Sequence, residues 1–312
     1  MENSPIKIPP PLPNGAVIGI AAPSGNVRGR DGFEEGIRIL HELGFATKFP
    51  RELWPGHHYL ADTDSRRAEE LVSLWKDNDV DCIMAARGGY GCLRILRSLR
   101  DDALGGKGKR LVGFSDVTLL HQLLNTRHNL VSLHGPVVTS LARLSRESLM
   151  SFKHCLLGAL EGWQMHADVE VLRGSGVTRG MSAGGNLSTI ASTLGTELAP
   201  YWRDKIVFLE DTGESAYRID RMLTQLHLSG AFEGVAAIVL GDFVHGLDID
   251  GVSRHRHQEA IWQRVMQLAD EDTVLWSGFP IGHGSDNHTF PMGLQLTLDH
   301  GSRMLSACLE EP

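Results

Sequence analysis

The first half of the chain alternates short apolar runs with stretches of helical periodicity, and this alternation constrains the fold more than any other feature. Each apolar run ends in a turn, as a buried strand of a parallel sheet does. Strands that alternate with helices predict a parallel sheet covered by helices, a Rossmann-like arrangement. The predicted strands of this half are 16–21, 81–86, 111–114 and 130–133.

Two helices are predicted between these strands. Phe33, Ile37 and Leu40 recur at helical spacing before Gly44, which is a typical helix terminator. Asp64 precedes a second helical pattern. Because functional loops of a parallel sheet follow the carboxyl ends of its strands, we expect the turns after the predicted strands to share one edge of the sheet.

The character of the sequence changes between 151 and 179, and we expect this stretch to link two domains. The first domain is predicted at 1–150 and the second at 180–312. In the second domain the predicted strands are 205–209 and 235–240, with a helix beginning at about Tyr217. A length of 312 residues is sufficient for two domains of ordinary size.

Charge and composition exclude several classes of protein. The net charge of −8 argues against a nucleic-acid-binding protein, which would carry a basic stripe. The local basic cluster of Lys107, Lys109 and Arg110 is expected to be a solvated start of a strand. No window is long and apolar enough to span a membrane, and the N-terminus lacks the pattern of a signal peptide. The four cysteines show neither a disulfide framework nor metal spacing, so we expect a cytoplasmic protein.

Ser115 lies at a predicted strand–turn–helix junction and is a candidate nucleophile. Gly113 precedes it by two residues, as in the Gly-x-Ser-x-Gly nucleophile elbow, but Val117 replaces the second glycine. An elbow holds the hydroxyl clear of the backbone near amide N–H groups that can stabilise an oxyanion. The alternative is that Ser115 and Asp116 simply cap the following helix, since both residue types are favoured caps.

A serine nucleophile needs a base and an acid that orients the base. His283 lies between two glycines, which would allow a substrate to approach its ring, although a histidine in this setting is often structural. Glu210, Asp211 and Glu214 follow an apolar strand, and a buried carboxylate there would need a cationic or hydrogen-bonding partner. Periodicity does not choose among the three.

Two further patterns in the sequence could be interpreted as binding sites, one for a nucleotide and one for a metal. The segment 87–91, Arg-Gly-Gly-Tyr-Gly, lacks the Gly-Lys-Ser/Thr of a phosphate loop, so an oxyanion-binding turn with Arg87 available for a carboxylate is favoured over nucleotide binding. Asp248, Asp250, His255 and His257 have no recognisable ligand spacing, and we expect them to form a solvated loop rather than a metal site.

Several motifs together resemble those of the LD-carboxypeptidases, the muramoyl-tetrapeptide carboxypeptidases of the serine-peptidase type. They run in family order through nearly the whole chain: RGGYG at 87–91, GFSD at 113–116, HGPV at 134–137, GGNL at 184–187, LEDTGE at 209–214 with Tyr217 and Arg218, and GHG at 282–284. The resemblance implies an N-terminal Rossmann-like domain with the nucleophile and a C-terminal, mainly β domain with the acid and base. It implies an active site at the domain interface.

Carried over by motif, the family's nucleophile, acid and base fall on Ser115, Glu210 and His283. The resemblance implies an oxyanion hole built from backbone N–H groups at Gly88 and Asp116. Arg87 and Asn186 (in the GGNL motif) are the candidates for binding substrate.

The implied reaction releases terminal D-alanine from the L,D-peptide bond of a murein tetrapeptide through an acyl-enzyme. No metal or organic cofactor is expected, and the resemblance suggests a homodimer.

Two alternatives remain open. The microcin-immunity peptidases, which cleave a peptidyl- or aminoacyl-nucleotide, share the triad but would need an aromatic pocket for the nucleoside. With 6% aromatic residues and no evident stacking cluster, the chain favours the cell-wall substrate. The other alternative is a protein that binds peptidoglycan fragments without cleaving them, and the presence of all three triad residue types argues against it.

Overall fold

The computed structural model describes residues 5–99, 101–106, 108–244 and 251–308. The chain forms two compact units. The first consists of Met1–Leu160 and His288–Gly293, and the second of Glu161–Asn287 and Leu294–Pro312. Each unit is built around its own sheet.

The first five strands and five helices in chain order belong to the first unit. The strands are β1 (Val17–Ala21), β2 (Ala46–Lys48), β3 (Cys82–Ala85), β4 (Arg110–Gly113) and β5 (Ser132–His134). The helices are α1 (Arg30–Glu42), α2 (Asp64–Lys76), α3 (Cys92–Ile95), α4 (Thr118–His128) and α5 (Arg146–Leu157). Short 3₁₀ helices lie at Leu96–Leu99, Asp101–Leu104, Ser115–Val117, Val138–Arg143 and Leu160–Gly162.

The remaining elements, again in chain order, build the second unit and complete the first. The strands are β6 (Gln164–His166), β7 (Glu170–Arg173), β8 (Val177–Asn186), β9 (Lys205–Thr212), β10 (Ala237–Val244), β11 (Val274–Ser277), β12 (Phe290–Met292), β13 (Gln295–Asp299) and β14 (Met304–Ala307). The helices are α6 (Leu187–Ala191), α7 (Ala216–Leu228) and α8 (Gly251–Leu268).

The sheet of the first unit confirms the predicted parallel architecture. Its strand order is β12-β5-β4-β3-β1-β2, and all neighbours are parallel except β12, which runs antiparallel to β5. Strands β3 and β4 are buried along their whole length, which explains why they read as continuous apolar runs. Their carboxyl ends therefore lie side by side and bring the turns after Ala85 and Gly113 to one edge.

The second unit has an eight-stranded mixed sheet in the order β6-β14-β13-β8-β9-β10-β11-β7. Strands β8 to β11 are parallel, and the flanking pairs are antiparallel. A core cluster packs the apolar faces of α7 and α8 against β9 and β10. The family resemblance implies a second, mainly β domain. The second unit is this sheet domain, and it also contains the helices α6, α7 and α8.

The boundary between the units lies at Leu160/Glu161, inside the stretch expected to link two domains. Residues 151–160 contribute α5 to the first unit, while 161–179 supply β6, β7 and the start of β8. Residues 288–293 also join the first unit, because β12 pairs with β5 with Phe290 opposite His134. Within 5–99, 101–106, 108–244 and 251–308, no helix is long and apolar enough to cross a bilayer.

Arg110 corrects one sequence expectation. It is not solvated at the start of β4 but is 1% exposed, and its guanidinium donates to the backbone carbonyls of Pro9, Cys155, Leu156 and Gly158. Carbonyl acceptors replace the water that a buried cation loses. Lys109 similarly donates to the carbonyls of Leu74 and Asp77, and Lys107 lies outside the described residues.

Candidate active site

Ser115 occupies a tight turn between β4 and α4. Its φ angle is +63°, a left-handed conformation that non-glycine residues rarely adopt. Gly113 allows the turn to close, because a Cβ there would lie 2.8 Å from a methyl group of Val117. The predicted elbow is therefore formed, with a strained backbone at the residue that carries the hydroxyl.

Gly88 lies directly against Ser115. A Cβ on Gly88 would be 2.9 Å from Ser115 Cβ and 3.1 Å from Ser115 Oγ, so the backbone of the 88–91 turn reaches the hydroxyl only because residue 88 lacks a side chain. The carbonyl of Gly88 accepts a 3.2 Å hydrogen bond from the N–H of Gly25, which fixes the near end of the turn. The structure therefore brings Gly88 and Ser115 together within one unit.

Gly88→Ala is expected to lower catalytic turnover by at least about 10-fold while the protein stays folded. The added methyl group would crowd the Ser115 hydroxyl, and the backbone at Gly88 is not in the left-handed region, so alanine introduces no backbone strain. Steady-state kinetics with a melting-temperature measurement checks this. Gly32→Ala, at a position with open space around it, is the control. Equal activity in both variants would contradict the close approach.

Asp116 follows Ser115, and its carboxylate does not cap α4. It is 3% exposed and accepts a 2.8 Å hydrogen bond from the N–H of Cys92 at the start of α3. Burial raises the pKa of this carboxyl group. The capping alternative for Asp116 is thus replaced by a contact with the neighbouring turn.

His121, in α4, supports the strand that leads into the elbow. Its Nε2–H donates a 2.8 Å hydrogen bond to the carbonyl of Gly113, and its Nδ1 lies 2.9 Å from the Ser132 hydroxyl, which donates to it. In this arrangement the ring is neutral, with its one N–H at Nε2. Burial lowers the pKa of His121 to about 3.

We expect His121 to make the protein less stable as the pH falls from about 6.5 to about 3. In this window the unfolded chain binds a proton at His121 and the folded chain does not, so acid favours unfolding. Between pH 7 and pH 4 the loss is on the order of 3 kcal/mol. Denaturant unfolding of wild type and His121→Gln at both pH values measures it, since glutamine offers a donor and an acceptor but does not titrate. Parallel losses in the two proteins would contradict this assignment.

His283 and Glu210 form a hydrogen-bonded pair in the second unit. The Nδ1–H of His283 donates to Glu210 Oε2 over 2.8 Å, and the glutamate is fully buried near the end of β9. A buried carboxylate at Nδ1 fixes the tautomer that leaves Nε2 free of a proton, and it stabilises an imidazolium. An imidazole held in this way is chemically able to accept a proton at Nε2.

The loop that carries His283 is attached to the end of β10. The N–H of Asp242 donates to the Ile281 carbonyl over 2.9 Å, and the N–H of Phe279 donates to the Leu240 carbonyl over 3.0 Å. Phe279 also packs on Phe208 of β9, with ring centroids 5.4 Å apart. These contacts place the imidazole beside β9 and Glu210.

The two neighbouring carboxylates have other partners. Asp211 accepts hydrogen bonds from the backbone N–H groups of Ser188 and Thr212, both over 2.7 Å, and burial followed by the charge of Glu210 raises its pKa to about 6. Glu214 forms an ion pair with Arg218 over 3.4 Å. Of the three carboxylates left open by periodicity, Glu210 is the one that contacts His283.

The two candidate substrate-binding residues differ in their surroundings. Arg87 is half-buried in the first unit and donates a 2.5 Å hydrogen bond to the Asn26 carbonyl; burial, followed by the nearby charge of Arg28, lowers its pKa. Asn186 is buried in the second unit, where its Oδ1 accepts from the N–H of Thr189 and caps α6. Asn186 thus has a structural role that the sequence did not indicate.

The side chains considered for a metal site are arranged differently from the expected loop. His255 and His257 lie in α8, where His255 faces Glu259 over 3.2 Å; Asp248 and Asp250 lie outside the described residues. Among the side chains that the structure describes, no group of three or more His, Cys, Asp or Glu could hold a metal ion.

The chain is similar to known proteins in sequence and in structure. Residues 18–135 match the LD-carboxypeptidase N-terminal domain family, and residues 179–298 match the LD-carboxypeptidase C-terminal domain family. The chain is 31% identical to the murein tetrapeptide carboxypeptidase of Pseudomonas aeruginosa, over 92% of this chain and 94% of that protein. It is 26% identical to the microcin C7 self-immunity protein MccF of Escherichia coli, over 95% and 94% of the two chains. The crystal structure of the muramoyltetrapeptide carboxypeptidase of Oxalobacter formigenes superposes with a TM-score of 0.81 at 26% identity, covering 95% of this chain and all of that one.

Proposed function

Because the chain belongs to the LD-carboxypeptidase family, we propose that it releases terminal D-alanine from the L,D-peptide bond of muramoyl tetrapeptides, in the recycling of peptidoglycan. The likeness to a murein tetrapeptide carboxypeptidase over nearly the whole of both chains supports this substrate class. It is the reaction of a serine hydrolase that forms an acyl-enzyme.

In this proposal Ser115 is the nucleophile. Its hydroxyl attacks the carbonyl carbon of the diamino acid, and His283 takes the hydroxyl proton through Nε2. The tetrahedral intermediate collapses with the proton returned to the nitrogen of D-alanine, which leaves. Water, activated by the same imidazole, then hydrolyses the ester and regenerates Ser115.

Glu210 stabilises the imidazolium that forms in both halves of the reaction. Because the carboxylate is fully buried, its attraction to a charged ring is weakened little by water. We propose that the backbone N–H groups of Gly88 and Asp116 stabilise the oxyanion, since Gly88 lies against Ser115 and Asp116 follows it at the elbow.

One observation carries the proposal: the hydrogen bond of 2.8 Å from His283 to the buried Glu210, at the two positions that the family motifs assign to base and acid. A protein that only bound peptidoglycan fragments would have no need for an imidazole held in this way. We therefore propose that the protein cleaves its substrate and does not only bind it.

The test is incubation of the protein with muramoyl tetrapeptide and measurement of free D-alanine. A tetrapeptide that ends in L-alanine is the matched control substrate. We expect release of D-alanine from the first substrate alone. Binding without release would indicate a sensor, and cleavage of a peptidyl-nucleotide conjugate in place of the tetrapeptide would indicate an activity like that of a microcin-immunity peptidase.

A further inference from the structure

We propose that Asp116 and Arg67 are positioning residues that hold the 88–91 turn at the distance from Ser115 at which the amide of Gly88 can stabilise an oxyanion. This inference rests on the proposed function, because it concerns the same nucleophile. It assigns a role to two buried charged side chains that take no proton in the reaction. The contacts that support it all lie within the first unit.

Asp116 connects the elbow to the far end of the turn. Its carboxylate accepts a 2.8 Å hydrogen bond from the N–H of Cys92, the first residue of α3. Gly91 is the N-cap of α3 and has no side chain to satisfy the first amides of that helix. The carboxylate next to the nucleophile therefore supplies the cap that the local sequence lacks.

Arg67 binds the other side of the same peptide group, the carbonyl of Gly91. Its side chain is fully buried, and its Nη1 donates a 3.0 Å hydrogen bond to the Gly91 carbonyl and another to the Pro23 carbonyl. The φ angle of Gly91 is +145°, and a Cβ at this position would lie 2.6 Å from Arg67 Nη1. The peptide group between Gly91 and Cys92 is thus bound on both sides by buried charged side chains, its C=O by Arg67 and its N–H by Asp116.

The consequence concerns Gly88, three residues before this anchored glycine. Its own carbonyl is bound by the N–H of Gly25, so both ends of the turn are fixed. Because Asp116 is the residue after Ser115, any displacement of the elbow also displaces the anchor of the turn. The separation of nucleophile and turn is therefore set by one short chain of contacts.

Stability alone does not account for this arrangement. The donor that reaches Asp116 from Cys92 is a neutral N–H group, and burial of a carboxylate carries a desolvation cost, which raises the pKa of Asp116. Apolar side chains of similar volume often replace buried charges without loss of stability. Precise placement of an oxyanion donor gives the carboxylate a function beyond packing.

The test compares Asp116→Asn and Asp116→Ala with Glu70→Gln. Glu70 is a matched control, since its buried carboxylate also binds a backbone amide, that of Ala22, and lies next to Arg51 rather than the turn. We expect kcat for D-alanine release to fall about 10-fold in Asp116→Asn and about 10²–10³-fold in Asp116→Ala, with KM within about 3-fold of wild type. Glu70→Gln should change melting temperature but leave kcat within about 3-fold.

Two further measurements separate positioning from simple destabilisation. In a Gly88→Ala background, Asp116→Asn should cost much less in kcat than in the wild type, because both changes act through the same amide. The rate at which a fluorophosphonate probe modifies Ser115 should fall from wild type to Asp116→Asn to Asp116→Ala, as kcat does. This measurement needs no peptide substrate. If Asp116→Ala misfolds, the kcat of Asp116→Asn and its rate of reaction with the probe still test the inference.

The inference is overturned if the Asp116 variants lose kcat only as much as Glu70→Gln at equal loss of melting temperature, or if the Gly88→Ala and Asp116→Asn effects multiply. Failure of the proposed function gives a different result. The wild-type protein then reacts with the probe faster than the Asp116 variants do, yet it releases no D-alanine.

Discussion

Ser115→Ala is expected to lower the release of D-alanine from muramoyl tetrapeptide by at least about 10³-fold. The variant removes the only atom that we propose to bond to the substrate, whereas the elbow backbone and the His283–Glu210 pair stay in place. Alanine is also smaller than serine, so it introduces no clash with Gly88. The measurement is single-turnover and steady-state release of D-alanine at saturating substrate.

Ser65→Ala is the matched control for this change. Ser65 is an exposed serine of α2 in the same unit, and its replacement should leave activity within about 2-fold. Binding of the tetrapeptide to Ser115→Ala should persist, because the change removes the reaction and not the pocket. Undiminished release of D-alanine by Ser115→Ala would exclude this residue as the nucleophile.

Glu210→Gln is expected to lower kcat by about 10³–10⁴-fold, the scale observed when the orienting acid of a serine protease becomes an amide. The amide has nearly the same shape, so the buried position stays filled. It carries no charge to stabilise an imidazolium, and its NH₂ group can turn toward the Nδ1 of His283 and favour the unproductive tautomer. The kinetics should be measured together with a melting curve, because Glu210 is fully buried.

Asp211→Asn is the control that distinguishes the two adjacent carboxylates. Asp211 binds the backbone N–H groups of Ser188 and Thr212, so the variant should lose some stability but keep kcat within about 10-fold. If Asp211→Asn lost more activity than Glu210→Gln at comparable stability, the acid would be assigned to the wrong residue.

Most of the parallel sheet of the first unit could be predicted because four of its strands are buried on both faces; β2, which is partly exposed, has no predicted counterpart. Strands β1, β3, β4 and β5 appear in the sequence as apolar runs, and their observed bounds differ from the predicted ones by at most two residues at either end. Gly44 and Asp64 likewise mark the end of α1 and the start of α2. Local periodicity and terminator residues were sufficient for these elements.

Contacts between distant residues could not be predicted in this way. Strand β12 is three residues long and contains Pro291, so nothing local indicates that it pairs with β5. Arg110 looks like a surface residue beside Lys107 and Lys109, and the carbonyls that bury it come mainly from 155–158. His255 and His257 were expected in a loop and lie in α8, which lacks a clear apolar stripe at its start.

The candidate site could be predicted only in part, because it also depends on contacts between distant residues. The sequence indicates a strand that ends in Glu210 and Asp211, and successive side chains of a strand point to opposite faces. Which face meets an imidazole depends on the loop at 278–287, whose position is set by contacts with β10. The family motifs supplied the choice that periodicity left open, and the His283–Glu210 hydrogen bond agrees with it.

The claim on which the account depends is that Ser115 and His283 work on the same bond, although they belong to different units of the chain. The kinetics of Ser115→Ala, His283→Ala and the double variant test it most directly. Residues that act together are non-additive, so we predict that the double variant is no slower than Ser115→Ala alone. A double variant whose loss equals the product of the two single losses would show that the two residues act independently, and it would contradict the account.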